Sequence, residues 1–135
     1  MRNMLLPFSL ALVLTAGCSN AQSDQNHEVV IQADMDASSF NASIEKGEAR
    51  LIDVRTPAEF ASGHIKGAEN MDWTAADYEK KFATLDAARP VLLYCASGGR
   101  SDQAKEYLEG KGFKVAHLVD GIAGWKKAGL PVVKD

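Results

Sequence analysis

Two cysteines in 135 residues are too few for a disulfide framework, and the first, Cys18, lies in an apolar leader. That leaves Cys95 as a single thiol in the folded part, to be explained by its chemistry or its packing. Basic runs are missing too. With a formal net charge of −3, nothing is present to neutralise a row of phosphates, which argues against a general nucleic-acid role. An anionic substrate would have to be drawn in by a local site, not by the whole surface. The three histidines, His27, His64 and His117, are scattered without a Cys/Asp cluster and give no metal-ligand spacing. Neither a metal nor an organic cofactor is implied. There is no internal repeat, and no apolar run after the leader is long enough to span a bilayer. The remaining composition, 46% apolar and 24% charged, is that of one globular domain able to bury a core without staples.

The first stretch reads as an export signal. Arg2 supplies a positive charge, and Met4 to Ala16 is almost unbroken in its apolar character. That length suits a signal-peptide core and is short for a spanning helix. Leu14-Thr15-Ala16-Gly17-Cys18 resembles a bacterial lipobox, so Cys18 is a lipidation candidate, with Thr15 where Leu is commoner. Cleavage after Ser19-Asn20-Ala21 also satisfies a small-x-small rule, and both routes stay open. The organisation expected is a signal peptide over 1–17, a flexible polar tether over 18–27, and one domain over 28–135. The protein is expected to be exported to a periplasm. Its only link to a membrane would be the lipid on Cys18, with Ser19 compatible with outer-membrane sorting. His27 falls in the tether as a solvated residue.

Along the domain, strands and helices alternate. Strands are expected at Glu28–Ile31, Arg50–Val54, Ala68–Met71, Val91–Tyr94 and Val115–Val119, from short β-rich apolar runs. Helices are expected over Asp36–Lys46, carrying Phe40 and Ile44 at i, i+4, then over Tyr78–Leu85, Ser101–Lys111 and Ile122–Ala128. Thr56-Pro57-Ala58-Glu59 combines a capping Thr, Pro at the first helical position and Glu three residues after the cap, so a short helix starts there. This alternation predicts an α/β domain. Its centre would be a mostly parallel sheet of about five strands, with helices on both faces. Ligands bind beyond the carboxyl ends of strands in such sheets.

Cys95 stands at one of those ends. It follows the buried run Val91-Leu92-Leu93-Tyr94 and precedes Ala96-Ser97-Gly98-Gly99-Arg100-Ser101, with Ser101 read as a helix N-cap. A curled Gly-containing loop running into a helix start forms a concave anion site from backbone N–H groups. A thiolate held there is favoured over the thiol, and Arg100 adds to the effect. Gly98 and Gly99 suit backbone with positive φ and close approach to a bound group. A lone Cys after an apolar strand is more often a small buried hydrophobe. The loop and Arg100 turn the reading toward a nucleophile that needs no histidine base.

Cys95-Ala96-Ser97-Gly98-Gly99-Arg100-Ser101 resembles the active-site loop of the rhodanese (sulfurtransferase) family. Leu51-Ile52-Asp53-Val54-Arg55-Thr56-Pro57-Ala58-Glu59-Phe60 and Gly63-His64-Ile65-Lys66-Gly67-Ala68 resemble that family's N-terminal signatures. Asp120-Gly121-Ile122-Ala123-Gly124-Trp125 is similar to its C-terminal one, with Asp120 where the first of two glycines is usual. The resemblance runs from about Val29 to Val133 and is to small single-domain periplasmic rhodaneses. It implies a Cys95 persulfide formed from a small anionic sulfur donor such as thiosulfate and discharged to a thiol or cyanide, by a monomer. Substrate would be bound by Ala96, Ser97, Gly98, Gly99, Arg100 and Ser101.

Asp53 and Arg55 end a strand on the same edge and are expected to support the loop, Asp53 through backbone N–H bonds; the alternative is a strand-end ion pair. His64 and His117 read as packing residues. Trp73 or Trp125 could wall the entrance. Two rival functions fit parts of this pattern. Phosphatases and arsenate reductases of this fold separate Cys and Arg by five residues, whereas Ala96 to Gly99 is four, a smaller ring that suits one sulfur atom. A carrier that holds persulfide for a partner would share the loop and differ only in turnover.

Overall fold

The computed structural model describes residues 32–134. The leader, Cys18, His27 and the strand expected at Glu28–Ile31 lie outside the described residues. Ten elements alternate in order: β1 (Asp34–Met35), α1 (Ala37–Lys46), β2 (Arg50–Asp53), α2 (Pro57–Ala61), β3 (Glu69–Asn70), α3 (Tyr78–Phe82), β4 (Val91–Tyr94), α4 (Gly99–Glu109), β5 (Val115–Leu118) and α5 (Gly121–Lys127). The five strands form one sheet in the order β1-β5-β4-β2-β3, and every pairing is parallel.

Alternation along the central strands divides the core into two layers, because successive side chains leave a strand on opposite faces. Ile52, Leu93, Cys95 and Val115 meet Phe82, Ala104 and Leu108 on the α3 and α4 side. Leu51, Leu92, Tyr94, Ala116 and Leu118 meet Phe40, Ile122 and Trp125 on the α1 and α5 side. Trp125 is 2% exposed, sits edge-on to Phe40 and donates from Nε1 to the Pro131 carbonyl (2.9 Å). It is a core residue and walls nothing.

The local signals explain where the helices begin. Asp36 caps α1 by accepting from the Ser39 N–H, 2.8 Å from its Oδ1. Thr56 and Glu59 close a reciprocal capping box at α2. Helix α4 departs from expectation. It starts at Gly99, with Gly98 as its cap residue and no side-chain cap bond. Ser101 is therefore inside the first turn, fully buried, with its hydroxyl aimed into the molecule instead of at a helix end. Helix α3 also stops at Phe82, short of Leu85.

Candidate active site

The register sets up the site. Leu93 of β4 lies opposite His117 of β5, so Leu93, Cys95 and His117 leave neighbouring strands toward the face that α4 covers. Cys95 is 1% exposed and borders the apolar layer, which would make it an inert hydrophobe if its sulfur met apolar groups alone. It also meets donors. The Gly98 N–H donates to Cys95 Sγ (3.1 Å), and the Ser101 hydroxyl lies 3.6 Å from the same sulfur. Burial alone would push the thiol up. The Ser101 hydroxyl and the backbone N–H groups of Ser101, Ser97 and Gly98 outweigh it and hold the thiol below its ordinary value, as donors to an anion do.

The loop is clamped from the other side by the start of α5. The Ile122 N–H donates to the Cys95 carbonyl (2.9 Å) and the Ala123 N–H to the Ala96 carbonyl (3.2 Å). Gly121, at φ 58°, has no room for a side chain: an added Cβ would sit 2.5 Å from the Ala96 carbonyl carbon. Asp120 is tolerated beside it because its own φ is −95°, ordinary for an L residue. The departure from the usual Gly-Gly pair thus costs the backbone nothing.

Arg100 has a partner that the sequence did not show. Its guanidinium is gripped by Glu59 through two parallel bonds of 2.8 Å, the fork geometry that guanidinium and carboxylate favour. The chief groups that hold the Cys95 thiol down are amides and a hydroxyl, and the Arg100 guanidinium also feels the Cys95 charge. Glu59 was legible only as a capping residue. Its place three residues after Thr56 gave no hint of a partner 41 positions away.

Arg100 first of all, working against burial and aided by the Thr56 N–H and hydroxyl, holds the Glu59 carboxyl down to about 2 from 4.5. The folded value lies below the unfolded one. The pair's contribution to stability is therefore complete above about 4.5 and lost as pH falls toward 2, as linkage requires. Thermal unfolding across that window is expected to lose one acid-sensitive step in Glu59→Gln.

Asp53 does not reach the active loop among the bonds seen. Its carboxylate takes the Arg55 backbone N–H (2.9 Å) and the Arg55 side chain, Nε to Oδ1 at 3.0 Å and the terminal nitrogen to Oδ2 at 2.6 Å. Arg55 also donates to the Gly63 carbonyl (2.8 Å) and lies over the Tyr94 ring. The pair is a buried strut beneath the neighbouring loop. It needs no help from solvent because each charge meets the other with good geometry.

His64 stacks on Phe60 at 3.7 Å, with Nδ1 3.1 Å from the Phe60 carbonyl, consistent with packing. Trp73 joins Tyr78, Phe82 and Tyr107 and donates to Gln103 of α4 (3.2 Å). His117 is the surprise: its Nδ1 lies 3.0 Å from Ser101 Oγ, one side chain away from the sulfur. Strand parity with Leu93 was the signal that could have exposed it.

The family model described as the rhodanese-like domain matches residues 36–128. A sulfurtransferase of Allochromatium vinosum is 39% identical over 84 residues, which is 62% of this chain and 77% of that protein. A thiosulfate sulfurtransferase, GlpE, of Vibrio cholerae is 32% identical over 99 residues, 73% of this chain and 92% of that one. Among solved structures, a rhodanese-related protein from Thermoplasma volcanium superposes with a TM-score of 0.70 at 27% identity, covering 77% of this chain and all of that chain.

Proposed function

Since this chain belongs to the rhodanese-like domain family and is a sulfurtransferase, we propose that Cys95 carries the transferred sulfur as a persulfide, with thiosulfate as donor. The observation that carries this reading is the Gly98 N–H at 3.1 Å from Cys95 Sγ, in a loop whose amides lower the thiol. In the first half-reaction the thiolate attacks the outer sulfur of thiosulfate. A new S–S bond forms, the bond to the sulfonate sulfur breaks, and sulfite leaves with the electron pair. The persulfide anion then occupies the cradle, where preorganised N–H donors favour negative charge on sulfur. In the second half-reaction a thiolate or cyanide attacks the outer sulfur, and Cys95 leaves as thiolate. One difficult transfer is thereby split into two.

Ala96, Ser97, Gly98, Gly99 and Ser101 supply the ring in this reading. Because Glu59 already pairs with Arg100, the guanidinium offers the donor a partly neutralised edge, and thiosulfate is bound mainly by the loop. The enclosure of Cys95 favours a donor whose reacting atom is terminal, as the outer sulfur of thiosulfate is.

Mass spectrometry after thiosulfate treatment tests the reading. The expected gain is about one sulfur atom, roughly 32 Da, on Cys95, removed by cyanide. No gain on Cys95 would overturn the donor assignment, and loading without sustained sulfite release in the presence of cyanide would mark a carrier.

The leader supports a second proposal, export to a periplasm. The N-terminal peptide of the mature protein decides its route: a diacylated Cys18, or a free end at Gln22. An uncleaved Met1 would overturn export.

A further inference from the structure

His117 is the buried titratable group that the sulfur transfer above does not use. It is 4% exposed and engaged at both ring nitrogens. Nδ1 lies 3.0 Å from Ser101 Oγ. Nε2 lies 3.2 Å from Asp34 Oδ1 and 3.6 Å from Asp102 Oδ1. Ser101 Oγ is in turn 3.6 Å from Cys95 Sγ and 3.0 Å from the Gly98 carbonyl. An unbroken line of polar atoms therefore joins the nucleophile to a carboxylate on the far edge of the sheet.

The charged groups facing the imidazole are Asp34 from β1 and Asp102 and Lys105 from α4. The Lys105 ammonium lies 2.7 Å from Asp34 and 3.1 Å from Asp102, so this acidic pair already holds its cation. Burial, then Lys105, push His117 below its usual value against the pull of the two carboxylates, which leaves the resting ring neutral. Its one N–H belongs on Nε2, facing carboxylate oxygens that can only accept. Nδ1 is then a bare lone pair, and the atom in front of it is the Ser101 hydroxyl.

We propose that His117 is a positioning residue for the Cys95 thiolate, acting through Ser101 as the acceptor of the thiol proton. This deepens the reading of Cys95 as the sulfur-transferring nucleophile and rests on it. In the step, the Sγ–H bond breaks as an Oγ–H bond forms, while the original Ser101 proton passes to Nδ1. No group is oxidised or reduced. The products are a thiolate, a Ser101 hydroxyl that now donates toward sulfur, and an imidazolium that donates from Nδ1 to Ser101 and from Nε2 to Asp34. The Gly98 carbonyl competes for the Ser101 proton, but a thiolate is the stronger acceptor. Thiolate and imidazolium thus stabilise each other, which couples the two titrations.

Alkylation of Cys95 by iodoacetamide, followed against pH, tests this without any sulfur donor. His117→Gln is expected to move the thiolate titration up by about one pH unit, lowering the rate about tenfold on the acid side of the profile. Ser101→Ala breaks the line, so adding His117→Gln to it is expected to change nothing further. Circular dichroism checks that each variant folds. A His117→Gln profile that overlays the wild type, or an effect fully additive with Ser101→Ala, would overturn the relay. Should His117→Gln not fold, ring-proton NMR titration of His117 decides the matter. Its midpoint is expected to be lower in Cys95→Ala than in the wild type, and an unchanged midpoint would sink the idea. Thiosulfate loading measured on the same wild-type sample separates the two claims. A shifted alkylation profile without loading removes the donor and keeps the relay, whereas loading without a shift removes the relay alone.

Discussion

Replacing Cys95 by Ser is expected to lower steady-state sulfite release from thiosulfate by at least about a thousandfold, as the loss of a covalent nucleophile does. The substitution changes one atom in a position that is 1% exposed, so the fold should be kept. What is lost is chemical. The donors around the sulfur, the Ser101 hydroxyl and the amides of Ser101, Ser97 and Gly98, bring a thiol within reach of ionisation but not a serine hydroxyl. An oxygen at that place also cannot form the S–S bond in which the transferred sulfur waits. Sulfite assayed with cyanide present, alongside a thermal melt matching the wild type, checks both halves. Turnover within tenfold of the wild type would mean that the sulfur passes elsewhere.

The second large effect is on the backbone. Gly98→Ala is expected to destabilise the protein by about 4 kcal/mol or more, whereas Gly99→Ala is expected to change stability by less than about 1 kcal/mol. The two glycines are neighbours in sequence and were equivalent in the sequence reading. In the structure Gly98 has φ 103°, and a Cβ there would stand 1.9 Å from the Val119 carbonyl oxygen, while a Cβ on Gly99 meets nothing within 4 Å. Neither side of the first clash can yield easily, because both are main chain. Gly98 also donates the 3.1 Å bond to Cys95 Sγ, so a loop displaced to relieve the clash should lose thiolate character as well. Urea unfolding of the two variants measures the contrast. Equal midpoints would show that the loop does not pass so close to the segment after β5.

Much of this was readable from the chain because it depends on neighbours in sequence. Short apolar runs between helical segments mark a parallel sheet, and Cys95 at the end of Val91–Tyr94 places the candidate nucleophile at a strand's carboxyl edge. Period-2 and period-3.6 patterns and capping residues are local signals, set by backbone geometry. The start of α4 was misplaced by two residues because Ser101 carries the chemistry of a cap and uses it for something else. What folding alone decided are the pairings between distant positions. Glu59 takes Arg100, and His117 reaches the sulfur through Ser101. Each joins side chains whose preferred partners are many in the sequence and become single only when sheet register and helix packing bring two of them within hydrogen-bond distance. Sequence by itself determined which thiol stands at a strand's carboxyl end before a curled loop; the tertiary structure determined which groups surround its sulfur, since electrostatic stabilisation falls off with distance in space and not along the chain.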